Sequence, residues 1–276
     1  MSAGPFAVIG LGCIGGSLAR TLAARGVPAR AWSASAADRE QAAAAGVPVA
    51  RSLDDAVRGA AVAVLAVPLS AVRDAAVAAH AAAPEALILH TAGLQGAGFV
   101  GVPAALHDRV LGTHPLAGAA SSGFAASREG LFAGCAVSIE SRAGAAAREA
   151  AESLWRLAGA ARFDYREAAE HDLLITWVSH LPQLAATALA GTLASSGLSA
   201  RDGGPGLLGA TRLAASSFEM WAPLLAPGRV ELECALDALG AEIARLRRAL
   251  ASRDESELAN LWESARAWRL SAGDRP

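Results

Sequence analysis

Hydrophobic positions in the first half of the chain cluster into short, mostly apolar runs at 6–9, 29–32, 62–66, 86–90, 110–112 and 136–139. Such runs lack the alternation of a half-exposed strand and predict strands buried on both faces. Ala-rich stretches of helical period lie between most of them, the first predicting a helix over 16–25. A helix over 143–158 and a short strand over 162–164 end the series. Strand and helix in alternation imply a parallel sheet covered by helices. From residue 166 only helical patterning remains: a nearly all-apolar helix over 168–195, a turn at Gly203-Gly204-Pro205-Gly206, then helices over 207–217, 230–251 and 255–270. The change of period divides the chain into an α/β domain, 1–165, and an all-helical domain, 166–276.

The helical half carries more apolar surface than it can cover. Leu232, Leu236, Leu239, Ile243, Leu246 and Leu250 form one seam, and Leu258, Leu261, Trp262 and Trp268 form a second stripe. A helix apolar nearly all round, such as 168–195, needs neighbours on every side. The shortfall predicts a two-fold homodimer through the C-terminal helices.

Composition excludes several classes. The chain is 53% hydrophobic and 18% charged, which allows a sizeable core, and its net charge of −2 gives no footprint for nucleic acid. No apolar run reaches the ~18 residues of a membrane span without a Pro, Gly or charge nearby. The N-terminus enters a strand pattern with no basic leader, so a cytoplasmic protein is expected. Cys13, Cys135 and Cys234 show no metal-ligand spacing, and no metal is expected.

Gly10-Leu11-Gly12-Cys13-Ile14-Gly15 follows the first predicted strand and opens the first predicted helix. In that setting it reads as the fingerprint of a Rossmann-type dinucleotide-binding domain. Gly10 permits the tight turn, Gly12 lets backbone approach a pyrophosphate, and Gly15 lets helix pack on strand, while the helix N-terminus offers free N–H groups. An acid holding the ribose of NAD is expected about 20 residues on, near Trp32 and Ser33. The second strand ends Ala31-Trp32-Ser33-Ala34-Ser35 without one. Ser33 and Ser35 can donate to a 2′-phosphate and Arg39 lies one turn on, so NADP is favoured over NAD; the bland reading has Asp38 and Arg39 merely capping a helix. Val67 and Pro68 end the third strand, where ribose and nicotinamide come to rest.

Three further clusters stand behind this loop: Thr113-His114-Pro115-Leu116-Ala117-Gly118, Val178-Ser179-His180-Leu181-Pro182-Gln183, and Thr211-Arg212 followed by Trp221. In this order they resemble the prephenate/arogenate dehydrogenase family of tyrosine biosynthesis, from Val8 to about Arg269. The resemblance implies oxidative decarboxylation of a cyclohexadienol. Hydride leaves the carbon bearing the ring hydroxyl, a His takes the hydroxyl proton, and loss of CO₂ aromatises the ring. It implies that His114 is that His, that His180 lies in the substrate pocket, that Arg212 holds a substrate carboxylate and that Trp221 lines the pocket. The chemistry of the residues agrees: neutral imidazole accepts a proton near pH 7, and guanidinium grips carboxylate with a two-pronged fork. His80 and His107 read as surface residues, and His171 and Asp172 as interdomain or capping residues.

The sequence also departs from the family. Its usual Asp-x-x-Ser-x-Lys is His90-Thr91-Ala92-Gly93-Leu94-Gln95, so Gly93 replaces the Ser, unless Thr91 substitutes, and Gln95 replaces the Lys. Ala120 stands where a Glu usually follows His-Pro-x-Ala-Gly. Prephenate, arogenate and an amino analogue therefore all remain open as substrates. Two other readings stay beside this one: a dehydrogenase or reductase of another hydroxy or imino acid, and a non-catalytic dinucleotide sensor. The retained His114, His180 and Arg212 argue against the sensor.

Overall fold

Phe-Ala-Val-Ile and Val-Ala-Val-Leu have no polar face, and strands of that kind end up in the middle of a sheet. They are β1 (Phe6–Ile9) and β3 (Val62–Leu65), buried on both sides. The computed structural model describes residues 4–119 and 122–271 and forms two units, Met1–Gly228 and Arg229–Pro276. Ala120 lies outside the described residues. The first unit holds a seven-stranded sheet in the order β2-β1-β3-β4-β5-β6-β7. The remaining strands are β2 (Ala29–Trp32), β4 (Leu87–His90), β5 (Val110–Pro115), β6 (Ala136–Glu140) and β7 (Arg162–Arg166). Registers such as Val8↔Val64 and Val64↔Leu89 run parallel from β2 to β5.

Period-two alternation sends β1 side chains to two cores. Phe6 and Val8 pack with Leu18 and Leu22 of α1 (Cys13–Ala24) and with Trp155 of α6 (Ala145–Ala158). Ala7 and Ile9 pack on the other face with Ala56 and Val57 of α3 (Leu53–Val57) and Ala76 and Ala79 of α4 (Val72–Ala82). A short α2 (Ala36–Ala44) follows β2. The chain passes from β2 across β1 to β3, and the resulting switch point opens a crevice at the carboxyl ends of β1 and β3.

Two departures from the expected parallel sheet occur at one end. β5 runs three residues past its predicted limit, through Thr113, His114 and Pro115, and pairs antiparallel with β6 (His114↔Ser138). The described connection between them holds only a 3₁₀ turn, Phe124–Ala126, and no crossover helix, which a parallel return would need. β7 then pairs parallel to β6.

The predicted helix over 168–195 is continuous but not uniform: α7 (Ala168–Ile175), a π turn (Thr176–His180), and α8 (Leu181–Ser195). By length and composition the run is apolar enough to cross a membrane, contrary to the expectation that none would be. Its buried line, however, is partly polar: His171, Ile175, Thr176, His180, Gln183 and Ala186. Leu173, Trp177, Val178 and Leu189 point outward. The predicted helix 207–217 is instead α9 (Pro205–Thr211) plus a 3₁₀ turn, Arg212–Ala215, and a further helix, α10 (Phe218–Leu225), follows with Pro223 inside it. The second unit is a pair of helices, α11 (Arg229–Ser252) and α12 (Glu255–Leu270), joined by an Arg245–Glu257 ion pair.

Candidate active site

The glycine loop is built as its spacing requires. Gly10 has φ +94°, and a Cβ there would stand 2.3 Å from the Ala66 carbonyl oxygen. A Cβ on Gly15 would stand 1.9 Å from the Gly10 oxygen, which fixes how closely α1 lies on the strand. Gly12 is different: a Cβ would meet nothing within 4 Å. Its lack of a side chain serves the space outside the protein. α1 has no side-chain cap, so its first-turn N–H groups face that space at the positive end of the helix. A cavity of about 500 Å³ opens there, bounded by Gly10, Gly12, Ser33, Asp38, Val67 and Pro68 among others. These residues fit a dinucleotide: backbone donors for the pyrophosphate and a mostly apolar wall beyond.

Other cofactor candidates are engaged elsewhere. Ile14 packs on the core. The Ser35 hydroxyl accepts from Asp38 N at 3.2 Å and caps α2. Arg39 donates to the carbonyls of Ser33 and Ala34, which fastens its guanidinium at the end of β2. Asp38, expected only as a helix-start residue, lines the cavity and accepts from Phe124 N at 2.9 Å.

A cluster of histidines lies at the carboxyl edge of the sheet. His114, half-buried on β5, places Nδ1 3.1 Å from Nε2 of His171, with the rings edge to face. His171 is fully buried, and its Nδ1 lies 2.8 Å from Asp172 Oδ1. The Asp172 carboxylate also accepts from Gln95 N at 2.7 Å and Gly96 N at 2.9 Å, the start of α5 (Gln95–Gly98). Asp172 is thus a capping residue as expected, but His171 is not merely interdomain: it touches His114. Desolvation, then repulsion by His171, pushes His114 down to about 3, against the pull of Asp172. Burial pushes His90 to about 4 and also lowers His180. All three imidazoles are therefore neutral at pH 7.

His90 is sealed under Gly98, edge-on to Phe99, with neither ring nitrogen partnered among the described residues. His180 ends the π turn, a distortion that recurs at functional sites. Trp221 of α10 stands edge to face with it at 5.5 Å, and His180 Nδ1 and Trp221 Nε1 are both buried without a partner among the described residues. Arg212 is exposed and makes no ion pair among the described residues. Its turn is held on α8 by Gln183 Nε2, which donates to Leu213 O at 2.9 Å. The Thr91 hydroxyl reaches the Leu65 carbonyl at 3.4 Å, and beside Gly93 the nearest atom to an added Cβ is Leu224 Cδ2 at 3.7 Å. Gln95 is fully buried and donates to Ser138 O at 3.1 Å. His107 is exposed, as expected, whereas His80 is half-buried.

A glycine loop at a switch point, beside a neutral histidine at the same sheet edge, defines a nicotinamide-dependent dehydrogenase. Comparison with known proteins narrows the class. The family model for the prephenate dehydrogenase nucleotide-binding domain matches residues 18–161, and that for the prephenate dehydrogenase dimerization domain matches 167–264. A cyclohexadienyl dehydrogenase from Zymomonas mobilis is 30% identical over 284 residues, spanning 96% of this chain and 94% of that protein. A crystal structure of prephenate dehydrogenase from A. aeolicus, in complex with hydroxyphenyl propionate and NAD⁺, superposes with TM-score 0.86 at 21% identity, covering 97% of each chain. A putative prephenate dehydrogenase from Corynebacterium glutamicum gives 0.85 at 25%, covering 97% of this chain and 89% of that one. The chain belongs to the prephenate dehydrogenase family. Its chemistry is nicotinamide-dependent oxidative decarboxylation of a cyclohexadienyl acid.

Proposed function

We propose that His114 takes the ring-hydroxyl proton of prephenate or arogenate, or the ring-amine proton of an amino analogue, and that NADP is used in preference to NAD. The observation that carries this reading is a neutral, half-buried imidazole at the carboxyl end of β5, on the edge where the dinucleotide crevice opens. Bound at the Gly10–Gly15 loop, the nicotinamide supplies the hydride acceptor. Ser33 and the fastened Arg39 favour a 2′-phosphate, Ser35 flanks them, and Asp38 is the opposing charge on the wall. The unpartnered nitrogens of His180 and Trp221 offer polar contacts to the substrate, and Arg212 offers its carboxylate a fork without first breaking an ion pair. Thr91 and Gly93 form the part of the pocket that departs from the family. Residues 1–165 hold the cofactor and supply His114, and 166–276 complete the substrate pocket and serve assembly.

Assembly as a homodimer accounts for the outward Trp177 and Val178 on the long helix, and for Ile243, Leu250, Trp262 and Trp268, which are all exposed in the single chain. A cytoplasmic location suits such an enzyme. Reduction of NAD or NADP, followed by absorbance with prephenate, arogenate and 4-amino-4-deoxyprephenate, tests the reading. Turnover of one of these acids, faster with NADP, is expected. No turnover of any would overturn the substrate class, and clearly tighter binding of NAD would overturn the cofactor preference. Light scattering at micromolar concentration is expected to give a dimer mass.

A further inference from the structure

We propose that His171 and Asp172 are positioning residues for His114: a carboxylate–imidazole–imidazole chain that fixes its tautomer and presents Nε2 as the proton acceptor. The inference rests on the reading of His114 as that acceptor. Its logic is a count of protons. A carboxylate has none to give, so His171 Nδ1, 2.8 Å from Asp172 Oδ1, must carry the hydrogen. In the proposed chain His171 carries that one N–H, which leaves its Nε2 a lone pair. The atom facing it at 3.1 Å, His114 Nδ1, must then be the donor. That leaves the His114 lone pair on Nε2, at the far side of the ring. The opposite arrangement would set the lone pair of His171 Nδ1 against Asp172 Oδ1, two acceptors at 2.8 Å with no proton between them.

The arrangement also needs no rotation during turnover. When Nε2 of His114 takes a proton, Nδ1–H keeps donating to His171, and the new positive charge lies one ring away from a carboxylate. That carboxylate is itself anchored by Gln95 N and Gly96 N, so it cannot swing away. The other titratable groups acting on His114 are His180 and His90, both held neutral by burial. Asp172 is thus the charge placed to favour the protonated ring. Outer partners of this kind set the orientation and basicity of an imidazole that does chemistry.

The test uses the full-length enzyme with the cyclohexadienyl acid it turns over best. His171→Leu should lower kcat roughly 10–100-fold, the usual worth of such a partner, with KM and cofactor Kd nearly unchanged. His171→Gln should recover most of that loss, because its carboxamide oxygen accepts from His114 Nδ1–H while its N–H donates to Asp172. Asp172→Asn removes the charge and replaces one of the two accepting oxygens with a donating NH2, so part of the population should carry the proton on Nε2 of His114. Nitrogen-15 NMR of the imidazoles reads this directly: Nε2 of His114 unprotonated in the wild type and protonated in part in Asp172→Asn. Equal loss in the Leu and Gln variants, or a wild-type spectrum with Nε2 of His114 protonated, would overturn the proposal even if His171→Leu fails to fold. Wild-type turnover in His171→Leu beside a crippled His114→Asn would overturn it while leaving His114 as acceptor. If His114→Asn itself turns over normally, the underlying reading fails first.

Discussion

The nucleotide end and the histidine end of this protein lie on the same sheet edge but are built on opposite plans. At the nucleotide end the working atoms are backbone, supplied by one stretch of six residues, Gly10–Gly15, whose shape is set by glycines. At the histidine end the working atoms are side chains, drawn from β4, β5, the α7–α8 helix, a 3₁₀ turn and α10. A local backbone device can be read as a motif. A convergence of side chains works only where several elements meet, and burial then changes their chemistry: His114 and His90 titrate far below an ordinary imidazole because of where they are packed.

The contrast can be tested from its strongest consequence to its weakest. His114→Asn should lower kcat roughly 10²–10⁴-fold, the usual worth of a general acid–base group, while dinucleotide titrations stay at wild-type affinity. Loss of cofactor binding in that variant would show that the two ends are not separable. Arg212→Lys is next. Lysine keeps the charge but not the fork, so KM should rise roughly tenfold or more, with melting temperature unchanged because Arg212 is exposed and unpaired among the described residues. A lower melting temperature with KM untouched would make Arg212 structural.

Within the nucleotide end, two alanine variants should part company. Gly12→Ala adds a methyl to open space, so Tm should hold while cofactor affinity falls roughly tenfold, from lost approach of backbone to pyrophosphate. Gly15→Ala drives a methyl into the Gly10 carbonyl, so Tm and affinity should fall together. Equal Tm in the two variants would contradict the packing described for α1.

The smallest effect is on stability against pH. Folded His90 and His114 bind protons only near about 4 and about 3, whereas unfolded imidazoles bind them near 6.5. Between those values the unfolded chain holds more protons, so stability is full above about pH 6.5 and is lost as pH falls towards 4. Melting curves from pH 8 to pH 4.5 should show Tm falling with acid, and His90→Phe should flatten part of the slope. A Tm independent of pH across that window would mean that the histidines are not buried neutral.

Strands, most helices and the glycine loop were legible because each is a local matter of period and conformation. The runs at 6–9 and 62–66 can bury two faces only inside a sheet, and Gly10, Gly12 and Gly15 are spaced for one turn. The misreadings fall where local pattern is silent. Nothing in Val110–Pro115 says that its last half pairs antiparallel with β6 rather than ending at Gly112. A π turn has no composition, so the kink that carries His180 was invisible in an apolar run. Asp38 read as a helix-start residue because, locally, it is one, in the first turn of α2; only folding sets it on the cavity wall.

His171 and Asp172 show the division most sharply. Their adjacency at the start of an apolar helix was plain in the sequence and fitted a capping role, which Asp172 does fill for α5. That the neighbouring imidazole meets His114 depends on β5 extending to Pro115 and on α7 crossing its end, contacts 57 residues apart in the chain. The sequence by itself determined which residue types were available and which segments would fold as strand, helix and phosphate loop, since those follow from φ/ψ preferences and periodicity over a few residues. Only the tertiary structure decided which nitrogens face each other and which rings lose their water, because hydrogen-bond direction and desolvation belong to the packed assembly of elements and to no segment alone.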